Sequence, residues 1–475
     1  MHNFIKSYED SNEEKFNEEF IFMKNNDNVL NYINDIAKAL EVIDGITFLG
    51  GYINNDESAF KSKEWLPVEE SRLSAIVLKF KIEGLYNKQP KSEIIEKVLF
   101  FPKLINNFYF LLNGNKYFPI YQIIDSATYH TSKNLTLKTL LMPIIIKTEV
   151  EFFQDVNMEY ECEGKMFILD LFKYKINILN YYFAKFGVNE TIKYFGFSKD
   201  ELGISKDITD ESNFMYFTLN NNLYLYVNRD SINNDFVKNF IVTCIKCFEG
   251  LKTKSTNLDN IDYWKKKLGA LFTKNVNNQV EKAEQIIISF QRILDDRTKK
   301  ILRISDENKE DSFAIVRWMT QNYEILRKKD NMDLTNKRFR VNEYLLHPLL
   351  IKFSNGTYRL LNSKTITFSS LKSIFNNISP NFIIKKLITN ELLRYVNSVN
   401  AIELYSSALK MTIKGPQSLA EGSKAINIRY RGLHSSYLGR VGLTSSSSSD
   451  PGTTMNATPF IETDGFYFVK KNELD

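Results

Sequence analysis

Between Asn397 and Arg440 stand six cations, Lys410, Lys414, Lys424, Arg429, Arg431 and Arg440, against two carboxylates, Glu403 and Glu421. That local surplus of four positive charges nearly accounts for the net charge of the whole chain, +5. The cations are interleaved with Gly415, Gly432 and Gly439, whose lack of a side chain lets backbone come close to a ligand. Ammonium and guanidinium groups gathered this way suit the phosphates of a polyanion. The plainer reading of the same composition is a solvated basic loop. Thr412 adds a hydroxyl to the stretch, and His434 adds a ring that can donate and accept. Beyond them come five serines, Ser445 to Ser449, and then Asp450-Pro-Gly452. Serine tracts usually serve as flexible linkers.

Other chemistry is harder to find. Cys244 and Cys247 form a Cys-x-x-Cys pair, yet a structural zinc site needs two further ligands at comparable spacing. Only Cys162 and four histidines, His2, His130, His347 and His434, remain, and none of them pairs up. The residues around Cys244 are apolar at helical intervals, so both thiols read as small hydrophobes buried in a helix, and no zinc is expected. Three cysteines in 475 residues also argue against a disulfide framework. Asp295-Asp296, and Asp259 with Asp262, read as surface carboxylates. No phosphate-cradling loop with its lysine, no nucleophile elbow and no His-Glu-x-x-His occurs. No catalytic residue and no metal ligand is assigned to this chain.

Order and spacing say more than charge does. Lys410-Met-Thr-Ile-Lys-Gly-Pro-Gln-Ser-Leu419, Arg431-Gly-Leu-His-Ser-Ser-Tyr-Leu-Gly-Arg440, the serine run and Phe460-Ile-Glu-Thr-Asp-Gly465 follow one another in the last part of the chain. Together they resemble the fork and hybrid-contacting region of the beta subunit of multisubunit DNA-directed RNA polymerases. In that family a run Arg-Leu-Ser-Ala-Leu-Gly-Pro-Gly-Gly-Leu precedes Arg-Asp-Val-His-Pro-Thr-His-Tyr-Gly-Arg, a proline- and glutamate-rich loop, and Gly-Phe-Ile-Glu-Thr. Upstream, Val98 to Gln122, with Asn113-Gly114 inside it, is similar to the family's Phe-Ile-Ile-Asn-Gly-Thr-Glu-Arg-Val hairpin. Asn336-Lys-Arg-Phe-Arg-Val-Asn-Glu-Tyr-Leu-Leu346 resembles its Asn-Arg-Arg-Val-Arg-Ser-Val-Gly-Glu-Leu-Leu. Between Thr148 and Asp330 no motif matches, and assignment there rests on position.

The resemblance implies a role without bond-making. The family's Asn-Ala-Asp-Phe-Asp-Gly-Asp motif, which holds the metal ions of phosphoryl transfer, belongs to the other large subunit and is absent here. Lys410, Lys414, Arg429, Arg431 and Arg440 would neutralise phosphates of the RNA–DNA hybrid or of the downstream duplex. Thr412 would offer its hydroxyl near the hybrid, while His434 and Tyr437 would either shape the fork wall or pack in the core. Ser448 and Asp450 fall where relatives carry a nucleotide-proximal Pro-Glu-Thr-Pro-Glu-Gly-Pro-Asn loop. Ser407-Ala-Leu-Lys410 replaces a His-Lys-Arg-Arg run at the rifamycin pocket, which implies poor sensitivity to that drug. Lys337-Arg-Phe-Arg340 pairs cations with an aromatic inside a matched segment and is a further candidate to touch nucleic acid or the template channel wall.

A full beta subunit continues past the point corresponding to Asp475, and giant phages split their large subunits over separate chains. The expected protein is thus the amino-terminal half of a split beta subunit. Its partners would be a C-terminal beta fragment, beta-prime-like subunits carrying Mg2+, a promoter-specificity factor, template DNA and the hybrid. Its place would be the cytoplasm of an infected bacterium, with virion packaging left open. A stand-alone basic phage DNA-binding or structural protein is the alternative.

These residues need a frame. At 43% hydrophobic and 25% charged, 475 residues can bury the cores of several domains. No apolar run is long enough to cross a bilayer, and Met1 to Phe20 holds no apolar signal core. Asp27 to Val42 has Val29, Leu30, Ile33, Ile36, Ala37 and Leu40 at helical spacing, and Leu73 to Glu83 alternates as a strand. Asn113-Gly114 is the dipeptide of a type I′ hairpin turn. Helical patterns dominate from 135 to 330, over Leu169 to Phe186, Asp235 to Leu251 and Asn277 to Ile304, and a further one covers Pro380 to Tyr395. Lys265-Lys-Lys267 and Arg327-Lys-Lys-Asp330 read as solvated helix ends. The expected fold is a multi-domain α+β one. Residues 1–134 and 331–395 would form a protrusion-like domain in two parts, 135–330 a mainly helical lobe-like insertion, and 396–475 the fork.

Overall fold

The computed structural model describes residues 26–54, 71–87, 89–105, 109–131, 134–172, 174–220, 223–249, 257–303, 310–330, 332–363, 366–376, 378–395, 400, 407, 409–415, 431–442, 452–458, 461–464 and 467–470. Among the described residues helices and five small sheets mix along the chain, an α+β fold as the sequence leads one to expect. The helix Asn26–Ala39 carries Val29, Ile33, Ile36 and Ala37 on one stripe, and all four are buried against the antiparallel sheet of Ile46–Asn54, Leu73–Tyr86 and Gln89–Pro102. Each fully buried Ile or Val there stabilises by roughly 1.5–3 kcal/mol. Asn113 and Gly114 take φ of 50° and 74° and join Tyr109–Leu112 to Asn115–Pro119, the hairpin read from the sequence.

One sheet is assembled from distant parts of the chain. Its order is Thr454–Asn456, Lys410–Thr412, Tyr121–Asp125, Lys337–Arg340, Tyr467–Lys470 and Ile461–Asp464. Tyr121–Asp125 runs antiparallel to Lys337–Arg340, with Ile123 opposite Phe339, and parallel to Lys410–Thr412, with Met411 beside Tyr121. Tyr121, Ile123, Phe339 and Met411 enter one core together with the first helix and the helix His347–Leu361.

A second core is built almost wholly by residues 127 to 326, with Val42 and Leu361 added from outside. It joins a five-stranded sheet centred on Ile144–Gln154 and Glu161–Leu171, a three-stranded sheet (Leu202–Ser205, Leu223–Asn228, Phe214–Asn220) and helices that include Leu179–Phe186, Asp235–Phe248, Ile261–Phe272, Gln279–Gln291 and Ser312–Gln321. Asn234, Asn260, Asp295 and Asp311 each open a helix by accepting a backbone N–H two or three residues on.

Four helical readings need correction. Leu169–Leu171, the end of Glu161–Leu171, and Tyr174–Asn177 are strand, and the helix is confined to Leu179–Phe186. A short apolar run fits both periods, and here pairing with Ile144–Gln154 decides. The stretch from Asn277 breaks before Asp295, which caps a new helix, Asp296–Ile301. Pro380 to Tyr395 divides into the helix Phe382–Leu387 and the strand Leu393–Tyr395. Lys265 lies inside the helix Ile261–Phe272, not at its end, and pairs with Glu284 at 2.7 Å. Among the described residues no helix is long and apolar enough to cross a membrane.

Candidate nucleic-acid interface

The strand Lys410–Thr412 is only three residues long, so its neighbours must hold it. On one side lies Tyr121–Asp125; on the other, Thr454–Asn456 runs antiparallel, with Lys410 opposite Asn456 and Thr412 opposite Thr454. Just past the strand, Gln122 donates its Nε2–H to the Lys414 carbonyl at 2.8 Å while its Oε1 accepts from Arg340 Nε at 2.7 Å. The chain then turns at Gly415, φ +105°, where a Cβ would stand 2.7 Å from Leu392 Cδ1 and 2.9 Å from Gln122 Nε2. Only glycine fits there.

Residues 431–442 lie along the far side of Thr454–Asn456. The Gly442 N–H donates to the Asn456 carbonyl at 2.9 Å, the Thr458 N–H donates to the Arg440 carbonyl at 3.1 Å, and Val441 bridges to Ala457. Gly452 comes so close that a Cβ on it would sit 2.4 Å from the Arg431 carbonyl oxygen. One small unit thereby gathers Lys410, Thr412, Lys414, Arg431, His434 and Arg440. Arg429, Ser448 and Asp450 lie outside the described residues.

Within the unit these side chains differ in what they present. Lys410, Lys414 and Arg431 are half-buried. Thr412 is buried; its hydroxyl donates to the Thr453 carbonyl and accepts from the Lys414 N–H, both at 3.1 Å, so it closes the turn after the strand. Arg440 is buried too, with Nη1 donating to the Ser436 carbonyl at 3.1 Å. His434 caps the 3-10 turn Ser435–Tyr437, its Nδ1 accepting from the Ser436 N–H at 3.2 Å, while Nε2 stands 3.3 Å from the Asp330 carboxylate. An accepting Nδ1 leaves the ring proton on Nε2, toward Asp330. Tyr437 packs in the core, and burial raises its phenol pKa.

Over residues 2–475 the sequence matches a family model described as a non-virion RNA polymerase subunit. The chain belongs to that family. No curated protein matches it significantly. As a subunit of an RNA polymerase, it works with other subunits of that enzyme.

In this polymerase subunit the stretch Lys337–Arg340 is not a nucleic-acid contact. All four of its residues are buried. Lys337 pairs with Asp125, and Arg338 with Glu343 at 2.8 Å. Arg340 stands 3.8 Å from the same carboxylate, and Arg297 reaches it at 2.9 Å. Arg297 also lies over the Tyr32 ring at 4.4 Å and 3.6 Å from Asp35. Burial alone would raise the Glu343 pKa; Arg338, Arg297 and Arg340 outweigh it and hold the carboxyl far below the usual range. Nearby, burial, with help from Arg340 and Lys138, pushes His347 down to about 4. Burial, Arg340 and Arg338 push Lys138 down to about 8. A glutamate five residues after Arg338 was the available signal for this cluster, but Arg297 and Asp125 are too distant in sequence to be suspected.

The remaining candidates in the polymerase subunit are structural. Cys244 and Cys247 are buried on the helix Asp235–Phe248, as read from the sequence, and burial pushes the Cys244 thiol up to about 12. Asp295 is no surface carboxylate: it caps its helix and also accepts from the Leu140 N–H at 2.9 Å. Asp296 is exposed and pairs with Lys38 at 2.6 Å. Asp259 accepts from the backbone and side chain of Asn189. Among the described residues no group of three or more His, Cys, Asp or Glu is placed to hold a metal ion.

Proposed function

We propose that this polymerase subunit is beta-like, the amino-terminal half of a split beta subunit, and that its tail lines the chamber holding template and RNA–DNA hybrid. One observation carries the proposal. The strands at 121–125, 337–340, 410–412, 461–464 and 467–470 arise in or beside stretches that separately resemble beta-subunit segments, and they are neighbours in a single sheet. Chance likenesses of short motifs have no reason to meet in space; pieces of one inherited sheet do. On this reading Lys410, Lys414 and Arg431, joined by Arg429, contact phosphates. Thr412, Arg440 and Tyr437 keep the wall in shape, and His434 fastens it to Asp330.

Holding reactants in register contributes to the rate without bond-making here. Mg2+ in a beta-prime-like partner supplies the chemistry, and this chain alone is inert. The core of residues 127–326 corresponds to a lobe and the core on either side of it in sequence to a protrusion. A C-terminal beta fragment and a promoter-specificity factor complete the enzyme in the cytoplasm of the infected bacterium. The test is co-expression with the remaining polymerase genes of the same genome, then pull-down, transcription and photo-cross-linking from positions 410 and 414 to template. Recovery in an active complex with those cross-links is expected. A free monomer beside an active enzyme built from the other chains would refute the reading. Tight, steeply salt-dependent duplex binding by the isolated chain would favour a stand-alone DNA-binding protein.

A further inference from the structure

The hairpin Ile144–Gln154 and Glu161–Leu171 carries a surface of opposite character. From 149 to 163 there are six carboxylates, Glu149, Glu151, Asp155, Glu159, Glu161 and Glu163, and no cation. Asp155 is buried and accepts from the Tyr160 N–H at 2.9 Å, and Glu151 pairs with Lys246 at 3.3 Å. The other four are exposed. Large apolar side chains stand among them: Val150 is 58% exposed, Phe152 69% and Met158 80%.

Register explains the arrangement. Residues directly opposite one another share a face, and the pairs are Val150 with Lys165, Phe152 with Glu163 and Gln154 with Glu161. The reverse face, with Phe153 and Gly164, packs on the helix Asp235–Phe248, where a Cβ on Gly164 would lie 2.7 Å from Val242 Cγ2. Among the described residues the Val150 and Phe152 face is covered toward its base, where Thr148 Oγ1 lies 2.9 Å from Tyr323 Oη, the Phe167 and Tyr323 rings are 5.5 Å apart, and Lys165, opposite Val150, pairs with Glu324. Sheet neighbours stop at the same level. Asn134–Leu137 pairs with residues 144–147 and Tyr174–Asn177 with 168–171, so among the described residues no strand flanks 148–154 or 161–167.

We infer that this projecting ribbon docks another subunit of the polymerase, through a segment of that subunit in which basic residues alternate with apolar ones. Charge selects the class of partner. Glu161 and Glu163 on this face, with Glu159 in the turn and Glu149 on the reverse face of the same ribbon, repel nucleic-acid phosphates and anionic lipid alike and attract lysine and arginine. An exposed Val and Phe on a strand that, among the described residues, has no second strand neighbour beyond Lys147 offer what strand addition uses, backbone pairing for affinity and alternate side chains for specificity. The inference rests on membership in a polymerase-subunit family and is independent of where the hybrid lies.

The test uses the full-length chain assembled with the remaining subunits, with Phe152 replaced by photo-reactive benzoylphenylalanine. Irradiation is expected to yield a cross-link to a Lys- and Arg-containing segment of another subunit. Cross-links to nucleic acid, to a second copy of this chain, or to nothing would overturn the inference. Two double variants at exposed positions, Val150→Thr with Phe152→Thr and Glu161→Lys with Glu163→Lys, leave the cores untouched, which circular dichroism and melting check. Both are expected to weaken assembly roughly tenfold or more, the charge reversal most strongly at low salt. Undiminished assembly in both would count equally against it. Template cross-linking through position 410 is read in the same complex, so failure of the fork reading and failure of this one are told apart.

Discussion

Glu343→Gln keeps the shape of a buried side chain and deletes its charge. Arg338 and Arg297 stand 2.8 and 2.9 Å from that carboxylate and Arg340 3.8 Å, and all three guanidiniums are largely out of water. Removing one partner of an exposed pair costs up to about 1 kcal/mol. Stranding buried charge costs about 3–5 kcal/mol. Asp35 remains 3.6 Å from Arg297 and offsets part of the loss, which places the expected cost near the low end, about 3 kcal/mol. At roughly 2–4 °C per kcal/mol for a unit of 150–250 residues, melting should fall by about 6–12 °C. Hydrogen exchange should accelerate in the helix Asn26–Ala39, the helix Asp296–Ile301 and the strand Lys337–Arg340, which meet at the cluster, and not in Ile144–Gln154. Because the folded Glu343 pKa lies below its unfolded value, the wild-type gain is complete above about pH 4.3 and is lost as pH falls toward the folded value. The variant should lack that acid dependence. A melting shift under about 2 °C, or faster exchange spread evenly over both cores, would refute the reasoning that Glu343 holds these three elements together.

His347, held near 4 when folded against 6.5 unfolded, contributes stability that is complete above pH 6.5 and declines by up to about 3 kcal/mol as pH drops to 4; melting curves of His347→Leu should be flatter over that window. Gly415→Ala forces a Cβ into Leu392 and Gln122 at positive φ, and a loss of about 1–3 kcal/mol should appear as lost exchange protection at Lys410–Thr412. In the assembled enzyme, Lys410→Ala and Lys414→Ala should each lower the slope of log template affinity against log salt by about 1; an unchanged slope would remove that lysine from the phosphate contacts. Rifamycin at doses that stop bacterial enzymes should leave the assembled polymerase active, as measured by transcript yield.

Where local chemistry determines the outcome, the fold was legible. The first helix follows from one apolar stripe, and the Asn113-Gly114 turn from two residues that accept positive φ. The grouping of Lys410, Lys414, Arg431 and His434 was anticipated by their closeness in sequence, whereas the inward placement of Thr412 and Arg440 was not. Whether a side chain on a short strand faces solvent depends on what covers the sheet, and the cover here includes the strand Thr454–Asn456 and the turn at 435–437. Lys337–Arg340 misled for the same reason. Three cations in four residues look solvated until Asp125, Glu343 and Gln122 arrive from elsewhere. Leu169 to Asn177 misled because Ile, Leu, Phe and Tyr satisfy either period over so few residues.

The parallel pairing of Met411 with Tyr121 has a consequence for biosynthesis. Gln122 must wait for Lys414, 292 residues later in the chain, to make its hydrogen bond to that carbonyl. At about 5–20 residues per second the ribosome takes roughly 15–60 s to deliver them. Meanwhile residues 127 to 326, which supply nearly all of the second core, can collapse on themselves, while Tyr121–Asp125 lacks its tail-side neighbour. A nascent protein in that condition presents a naked apolar edge for many seconds. Truncation or ribosome stalling before residue 410 should therefore yield aggregates held by the first part of the chain around a folded middle, and chaperones that shield strand edges should matter most in that interval.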